Sequence, residues 1–353
     1  MMKIINFGCK VAKYDTTCLP DFGEGSVVIS SCTVTNNAFN KVKDCVEKCV
    51  KENPDKKIIL TGCIPDSYLP PQNVEIYDIK SKKPNPQPQS TTRAYLKIQD
   101  GCENFCSYCI IPFTRGKEVS KPPSEVLAEA EMLSEFHKEI VLCGINLGKH
   151  KNLKEIVTRI SEIDNIKRIR LSSLEPDEFV FIKNEKLMPY FHISLQSGSD
   201  TVLKRMNRKY DTLFFKNLIE KIKSTYENPF IATDVIVGFP GETDEEFEST
   251  KKFVRELNIA KTNVFPFSAM LGTVAYDMPE QVDEFVKKKR CKDLRDISND
   301  LLKQFYISQI GKTRSVLFEG HKGYTDNYVP VRSNEYKKNI IEEVKITEEN
   351  IIK

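Results

Sequence analysis

Three cysteines in one short loop, Cys102, Cys106 and Cys109 in the stretch GCENFCSYC, carry the sharpest chemical signal in the sequence. Thiolates that hold a cubane iron–sulfur cluster must converge from a compact segment, and gaps of three and then two residues permit that. Three ligands for four irons leave one iron open to a substrate or cofactor. Zinc is the competing occupant. A structural zinc site takes four donors, usually as two pairs, and no His or Cys stands close by to complete such a set.

A second set repeats a position. Cys9, Cys32 and Cys63 each close an apolar strand candidate, in IINFG-Cys9, VVISS-Cys32 and IILTG-Cys63. In a parallel sheet these positions share the edge where ligands bind in open α/β folds. They read as a second cluster with one exposed iron, against the alternative of buried structural cysteines. The other five cysteines take the plainer reading: Cys45 and Cys49, four apart on one helix, could supply half a metal site but have no evident partner ligands, and Cys18, Cys143 and Cys291 read as packing residues or bystanders. Eleven cysteines, an odd number in a long chain, favour metal ligation or catalysis over a disulfide framework.

The elements that must position these loops fall into an α/β pattern, and 353 residues suit two or three domains. Residues 1–80 alternate strand, helix and strand, with a polar helix from Asn37 to about Glu52, and read as a small α/β domain with a parallel sheet. SKKPNPQPQSTTR (81–93) reads as a linker. Over 94–310 six strand candidates, AYLKIQ, EIVLCG, RIRLSS, FHISLQ, ATDVIVG and TNVFPF, mostly lead into helices such as Ser124–His137 and Thr243–Leu257. This predicts a parallel barrel or partial barrel with its site on the loops at the carboxyl ends of the strands. A long charged helix (279–309) closes the segment, and 311–353 reads as a short β-barrel-like module. No apolar run approaches the roughly 20 residues that cross a bilayer. The start, MMKIINFGCK, lacks the pattern of a secretion signal. A cytoplasmic location with no membrane partner is therefore expected. The net charge of +3 is too mild to argue for nucleic acid by itself.

The CxxxCx-aromatic-C loop opening a β/α barrel resembles the radical S-adenosylmethionine (SAM) superfamily. The resemblance implies that SAM chelates the open iron, that one electron breaks a carbon–sulfur bond of its sulfonium, and that Tyr108 lies against its adenine. Over essentially its whole length the chain resembles the methylthiotransferase family: GCK (8–10), SSCTVTNNA (30–38), TGC (61–63), QDGCENFCSYCIIPFTRG (99–116), LSSLEP (171–176), HISLQSGSDTVLKRMNRKY (192–210), DVIVGFPGET (234–243) and VFPFSAMLGT (264–273). This implies two 4Fe–4S clusters, an auxiliary one on Cys9, Cys32 and Cys63 and a radical SAM cluster on Cys102, Cys106 and Cys109. One SAM would supply the methyl of a methylthio unit and a second the radical that activates a C–H bond. Gly144 to Asn146 should meet the SAM amino group, Gln196 and Ser197 the ribose, and Gly238 the adenine region.

The tail GYTDNYVPV (323–331) resembles the small RNA-binding module that ends these enzymes, and SCTVTNNA and SLQSGSDTVLKRMNRKY resemble the subgroup acting on N6-threonylcarbamoyladenosine at tRNA position 37. Related subgroups act on N6-isopentenyladenosine or on a ribosomal-protein aspartate. The implied partners are a tRNA anticodon stem-loop, a reductive electron donor and a sulfur donor. Lys204, Arg205, Arg208 and Lys209, with Lys312, Arg314, Lys322 and Arg332 in the tail, are the candidate phosphate contacts. The chain departs from the family pattern at Ala12, where Asn is usual, in a short interval from Cys9 to Cys32, and in an abbreviated terminal module. A non-catalytic iron–sulfur protein is the rival reading, and it leaves the SAM-pocket segments unexplained.

Overall fold

Short β-branched runs form the first sheet, in which β1 (Lys3–Asn6), β2 (Val27–Ser31), β3 (Ile58–Gly62) and β4 (Val74–Ile76) lie parallel and in that order. The computed structural model describes residues 2–78 and 87–352. Helix α2 (Asn36–Glu52) begins where the Thr35 hydroxyl accepts the Ala38 N–H, and it lays Val42, Val46 and Cys49 on Val27, Ile29, Ile58 and Leu60. Helix α1 (Lys10–Thr17) goes elsewhere. Its Val11 and Tyr14 join a core with Ala94, Leu96 and Val126 of the second segment. The buried Tyr14 hydroxyl donates to Glu129 and accepts from Lys121, each at 2.8 Å.

Of the expected linker, residues 81–86 lie outside the described residues, as do 79 and 80 of the first domain. The remainder is held in place. The Gln87 N–H donates to the Thr17 carbonyl, the Gln89 side chain bonds both backbone groups of Tyr95, and Arg93 already belongs to a strand.

The second segment runs β5 (Arg93–Lys97), β6 (Gln99–Asp100), α3 (Ile111–Arg115), β7 (Val119–Ser120), α4 (Pro123–Ser134), β8 (Glu139–Cys143), α5 (Leu153–Ser161) and β9 (Arg168–Leu171). It continues with β10 (Tyr190–His192), α6 (Asp200–Arg205), α7 (Thr212–Thr225), β11 (Phe230–Val237), α8 (Asp244–Glu256), β12 (Lys261–Pro266) and α9 (Glu284–Ile307). Two parallel three-stranded sheets, β5-β8-β9 and β10-β11-β12, meet through the bridge Leu174–Ile193. The six expected strands are all present, as an open arc. The sharpest helix start is at α8, where Thr243 and Glu246 form a reciprocal capping box.

The tail departs from expectation. It is a ribbon of two long antiparallel strands, β13 (Thr313–Thr325) and β14 (Pro330–Lys345), bulged near Phe318 and Gly320, rather than a barrel. Alternating residues suit either form, and two strands cannot close on themselves. Phe305 and Tyr306 of α9 cover its apolar face of Val316, Phe318, Val329 and Val331. The ribbon seats on the amino ends of the barrel strands. There Arg168 donates to the Ser315 and Tyr324 carbonyls, Arg170 to that of Thr325, and Arg93 pairs with Glu319. Beneath it, Glu139 is 1 % exposed and shared by Arg93, Arg168 and Arg170. No helix among the described residues is long and apolar enough to cross a membrane.

Candidate active site

All six cysteines expected to hold clusters sit at carboxyl ends of strands. Cys9 caps α1 just past β1, Cys32 and Cys63 directly follow β2 and β3, and Cys102, Cys106 and Cys109 fill the loop between β6 and α3. Glycine sets two of these turns. Gly62 has φ +94°, and a Cβ there would come within 2.8 Å of the Ser31 carbonyl oxygen; Gly101 has φ +74°, and its Cβ would meet the Lys117 carbonyl oxygen at 1.9 Å. The departure at Ala12 is a close packing, since a Cβ on Gly8 would lie 2.2 Å from that of Ala12.

The thiols of each triad stand in one another's electrostatic field. Burial raises Cys32 and Cys63, and Cys9 adds to both. Burial, with Cys106 adding to it, lifts Cys102 to about 11 and Cys109 to about 12. Such thiols keep their protons until a metal displaces them. Among the described residues no three His, Cys, Asp or Glu side chains converge on a single ion. A cubane is gripped at its corners, so its thiolates stand wider apart than the ligands of one zinc. Cys45 and Cys49, with sulfurs 4.0 Å apart, pack on the first core and gather no third donor among the described residues.

Each triad carries one arginine on a sulfur, which the sequence reading missed. Arg115 Nε donates to Cys63 Sγ at 3.1 Å, and Arg208 Nη1 donates to Cys106 Sγ at 3.2 Å. Arg115 is anchored by Asp15 and Asp100, and Lys97 bridges the same two carboxylates. Arg208 is anchored by Glu175 and the Tyr210 hydroxyl. Burial pushes the Glu175 carboxyl up, and Arg208 only partly offsets this. Arg115 closes the IPFTRG stretch quoted above, but only the fold shows what it touches.

Between the two segments lies a cavity of about 170 Å³, lined by Val34 and Thr35 on one side and by Tyr108, Cys109, Gln196, Asp234 and Phe267 on the other. Asn36 latches the wall, its N–H donating to Ser268 Oγ at 3.0 Å and its Nδ2 to the Ala269 carbonyl at 2.8 Å. Tyr108 and Gln196 thus line the same cavity, and Gln196 holds φ +68°. Asn146 is 2 % exposed, its N–H spent on Gln99 Oε1 and its own Oδ1 without a partner among the described residues. Gly144 packs on Gln99. A buried acceptor with nothing to accept suits an ammonium group, and together with the thiol triads it fits the expected cluster and zwitterionic cofactor.

Two expected contacts are turned away. The Ser197 hydroxyl is buried against Thr250 and Ser199, and the Gly238 N–H donates to Glu242 while Lys287 fills the space a side chain would need. Among the cations expected on RNA, Arg208 is a correction, because its side chain is 3 % exposed and serves Cys106. Arg314 is another, 8 % exposed and paired with Asp326. Arg205 is tied to Glu246, and Lys312 to Asn228. Lys204, Lys209, Lys322 and Arg332 are exposed. Beside the cluster loop stand two exposed aromatics that the sequence reading passed over, Phe105 at 52 % and Phe113 at 55 %, edge to face at 6.3 Å. Phe105 has φ +46°, costly for a bulky residue, and Asn207 Nδ2 holds its carbonyl while Lys209 donates to Asn207.

A family model described as the Radical SAM superfamily matches residues 96–254. The chain is 35 % identical to the threonylcarbamoyladenosine tRNA methylthiotransferase MtaB of Thermotoga maritima, over 93 % of this chain and 90 % of that protein. The chain belongs to the radical SAM methylthiotransferase family. This methylthiotransferase is also 34 % identical to the Bacillus subtilis protein of the same name, over 92 % of this chain and 88 % of that one. It is 30 % identical to the tRNA-2-methylthio-N(6)-dimethylallyladenosine synthase of Pelotomaculum thermopropionicum, over 93 % and 88 %. Among solved structures, the radical SAM methyltransferase TsrM of Kitasatospora setae shares its fold, with a TM-score of 0.50 and 12 % identity. That match spans 68 % of this chain and less than two thirds, 63 %, of the other.

Proposed function

We propose that this methylthiotransferase adds a methylthio group to carbon 2 of N6-threonylcarbamoyladenosine at position 37 of tRNA, in the cytoplasm. The observation that carries the reading is the cavity walled by both segments, with Cys109 in its lining on one side and, on the other, Val34 and Thr35, two and three residues past Cys32. Cys102, Cys106 and Cys109 would hold the radical SAM cluster, and Cys9, Cys32 and Cys63 an auxiliary 4Fe–4S cluster. When bound, clusters and SAM supply the electron, the radical and the methylthio unit. The chain does the rest. Asn146 Oδ1 accepts from the SAM amino group, Tyr108 and Gln196 wall the nucleoside, and the aromatic and apolar lining excludes water from a reactive centre.

The RNA enters where the loops are. Phe105 and Phe113 offer a stacking shelf beside the cluster loop, with Lys209 and Lys204 for phosphates. The ribbon cations Lys322 and Arg332 lie at the other end of the barrel, so they meet a different part of the same tRNA. An electron donor and a sulfur donor complete the partners. Mass spectrometry of tRNA nucleosides from a deletion strain tests the reading. The methylthio form of N6-threonylcarbamoyladenosine disappears and its precursor accumulates; loss of the methylthio form of N6-isopentenyladenosine instead overturns the substrate assignment.

A further inference from the structure

The arginine on Cys63 does more than an ion pair requires. Its side chain has no exposure, and it sits at the end of α3, which starts two residues past Cys109. Nη1 satisfies Asp15 at 2.8 Å and Asp100 at 3.2 Å, yet Nε is turned onto the sulfur and Nη2 has no partner among the described residues. A guanidinium serving carboxylates alone would present its fork to one of them bidentately. Here the fork is split, with Nε on the Cys63 sulfur and Nη1 on the two carboxylates.

The carboxylates lead to the other ligands. Asp15 lies on α1, which Cys9 caps. Asp100 accepts the N–H of Gly101, the residue before Cys102, and the Cys102 N–H donates to the carbonyl of Gly116, the residue after Arg115. One buried side chain thus reaches Cys63 directly, Cys9 through Asp15, and Cys102 through Asp100. Arg208, by contrast, is anchored wholly within the barrel and touches only the Cys106 side.

We propose that Arg115 is a positioning residue that raises the reduction potential of the cluster on Cys9, Cys32 and Cys63. The inference rests on the reading of that triad as an auxiliary cluster site. A cluster gains negative charge on reduction, and a cationic N–H donor on one of its sulfurs stabilises the reduced form more than the oxidised one. The low-dielectric setting strengthens the effect. Asp15 and Asp100 hold the donor still, and with Lys97 they balance its charge, so the direction of the Nε–H bond is what remains to act on the sulfur.

The test uses the full chain with Cys102, Cys106 and Cys109 replaced by Ala, reconstituted without oxygen, so that only the auxiliary site can hold iron. Redox titration followed by electron paramagnetic resonance compares Arg115 with Arg115→Gln and Arg115→Lys in that background. We expect iron content to persist and the Arg115→Gln midpoint to fall. The ratio of oxidised to reduced cluster at a set potential rises about tenfold, equivalent to about 59 mV for one electron. Arg115→Lys keeps a charge beside Asp15 and Asp100 but loses the planar donor; its midpoint falls by less, and it decides the matter if the glutamine variant does not fold. An unchanged midpoint in either folded, iron-loaded variant overturns the inference alone. If the Cys102, Cys106 and Cys109 replacement leaves no iron at all, the auxiliary-cluster reading fails and takes the inference with it.

Discussion

The guanidinium of Arg208 lies 3.2 Å from the sulfur of Cys106, while Lys209, the next residue, is exposed to solvent. Asn207 makes the difference. With φ +57° it ends the run after α6 and swings Arg208 inward to Glu175. Arg208→Gln leaves that carboxylate without its ion pair, and we expect a loss of about 2–4 kcal/mol in the urea unfolding of the apo protein. Affinity for an anticodon stem-loop stays within about twofold, because no phosphate contact is lost. A large loss of RNA affinity with unchanged stability would restore Arg208 to the RNA face.

The two triads predict iron stoichiometry. Reconstituted wild type holds about eight irons, and Cys32→Ala about four. The variant still forms 5′-deoxyadenosine from SAM on reduction and no longer yields methylthiolated tRNA. Cys18→Ala and Cys291→Ala keep the full complement. Equal iron in wild type and Cys32→Ala removes the second cluster from the account.

Phe105→Ala addresses the shelf. Stacking one base is worth about 1–3 kcal/mol, so stem-loop affinity measured by fluorescence anisotropy drops roughly 5- to 150-fold. RNA-independent 5′-deoxyadenosine formation changes little, since the ring faces solvent. Unaltered affinity would mean that the ring only shields the cluster loop.

Acid should loosen the ribbon end of the barrel. Burial raises the Glu139 carboxyl, but Arg170, Arg93 and Arg168 outweigh it, so the group ends below its ordinary value of about 4.5. A depressed carboxylate contributes stability that is complete above the unfolded value and is lost as pH falls through the lower folded one. Wild-type stability therefore declines below about pH 4.5 partly through this group. Glu139→Gln costs about 3–5 kcal/mol near neutrality and lacks that part of the slope. Parallel stability curves for the two proteins in acid would contradict this.

Much of the architecture was legible because β-branched runs ending in Gly-Cys or Ser-Cys announce both a strand and the edge at which it stops. The repeated position of Cys32 and Cys63 required no knowledge of the partner strands. What stayed hidden depends on distant contacts. The residues of α1 carry an apolar face whatever they pack against, and nothing local says that Tyr14 meets Lys121 and Glu129. Arg208 and Lys209 are neighbours of like charge separated only by a turn. Gly238 directly follows β11 and Ser197 lies five residues past β10, yet Thr250 and Glu242, both from beyond those strands, occupy them. The alternation in β13 and β14 is the same for a ribbon as for a barrel, and closure takes more strands than the two found here among the described residues.

Helix α1 leaves the ribosome long before β5, α4 and Lys121, against which Val11 and Tyr14 pack. During synthesis the first sheet can pair while this helix still waits, its apolar side uncovered and Cys9 not yet beside its fellow thiols. On the proposed reading of that triad, iron loading waits for the barrel's opening half to emerge. A truncated chain ending at the linker would form a sheet but no cluster pocket.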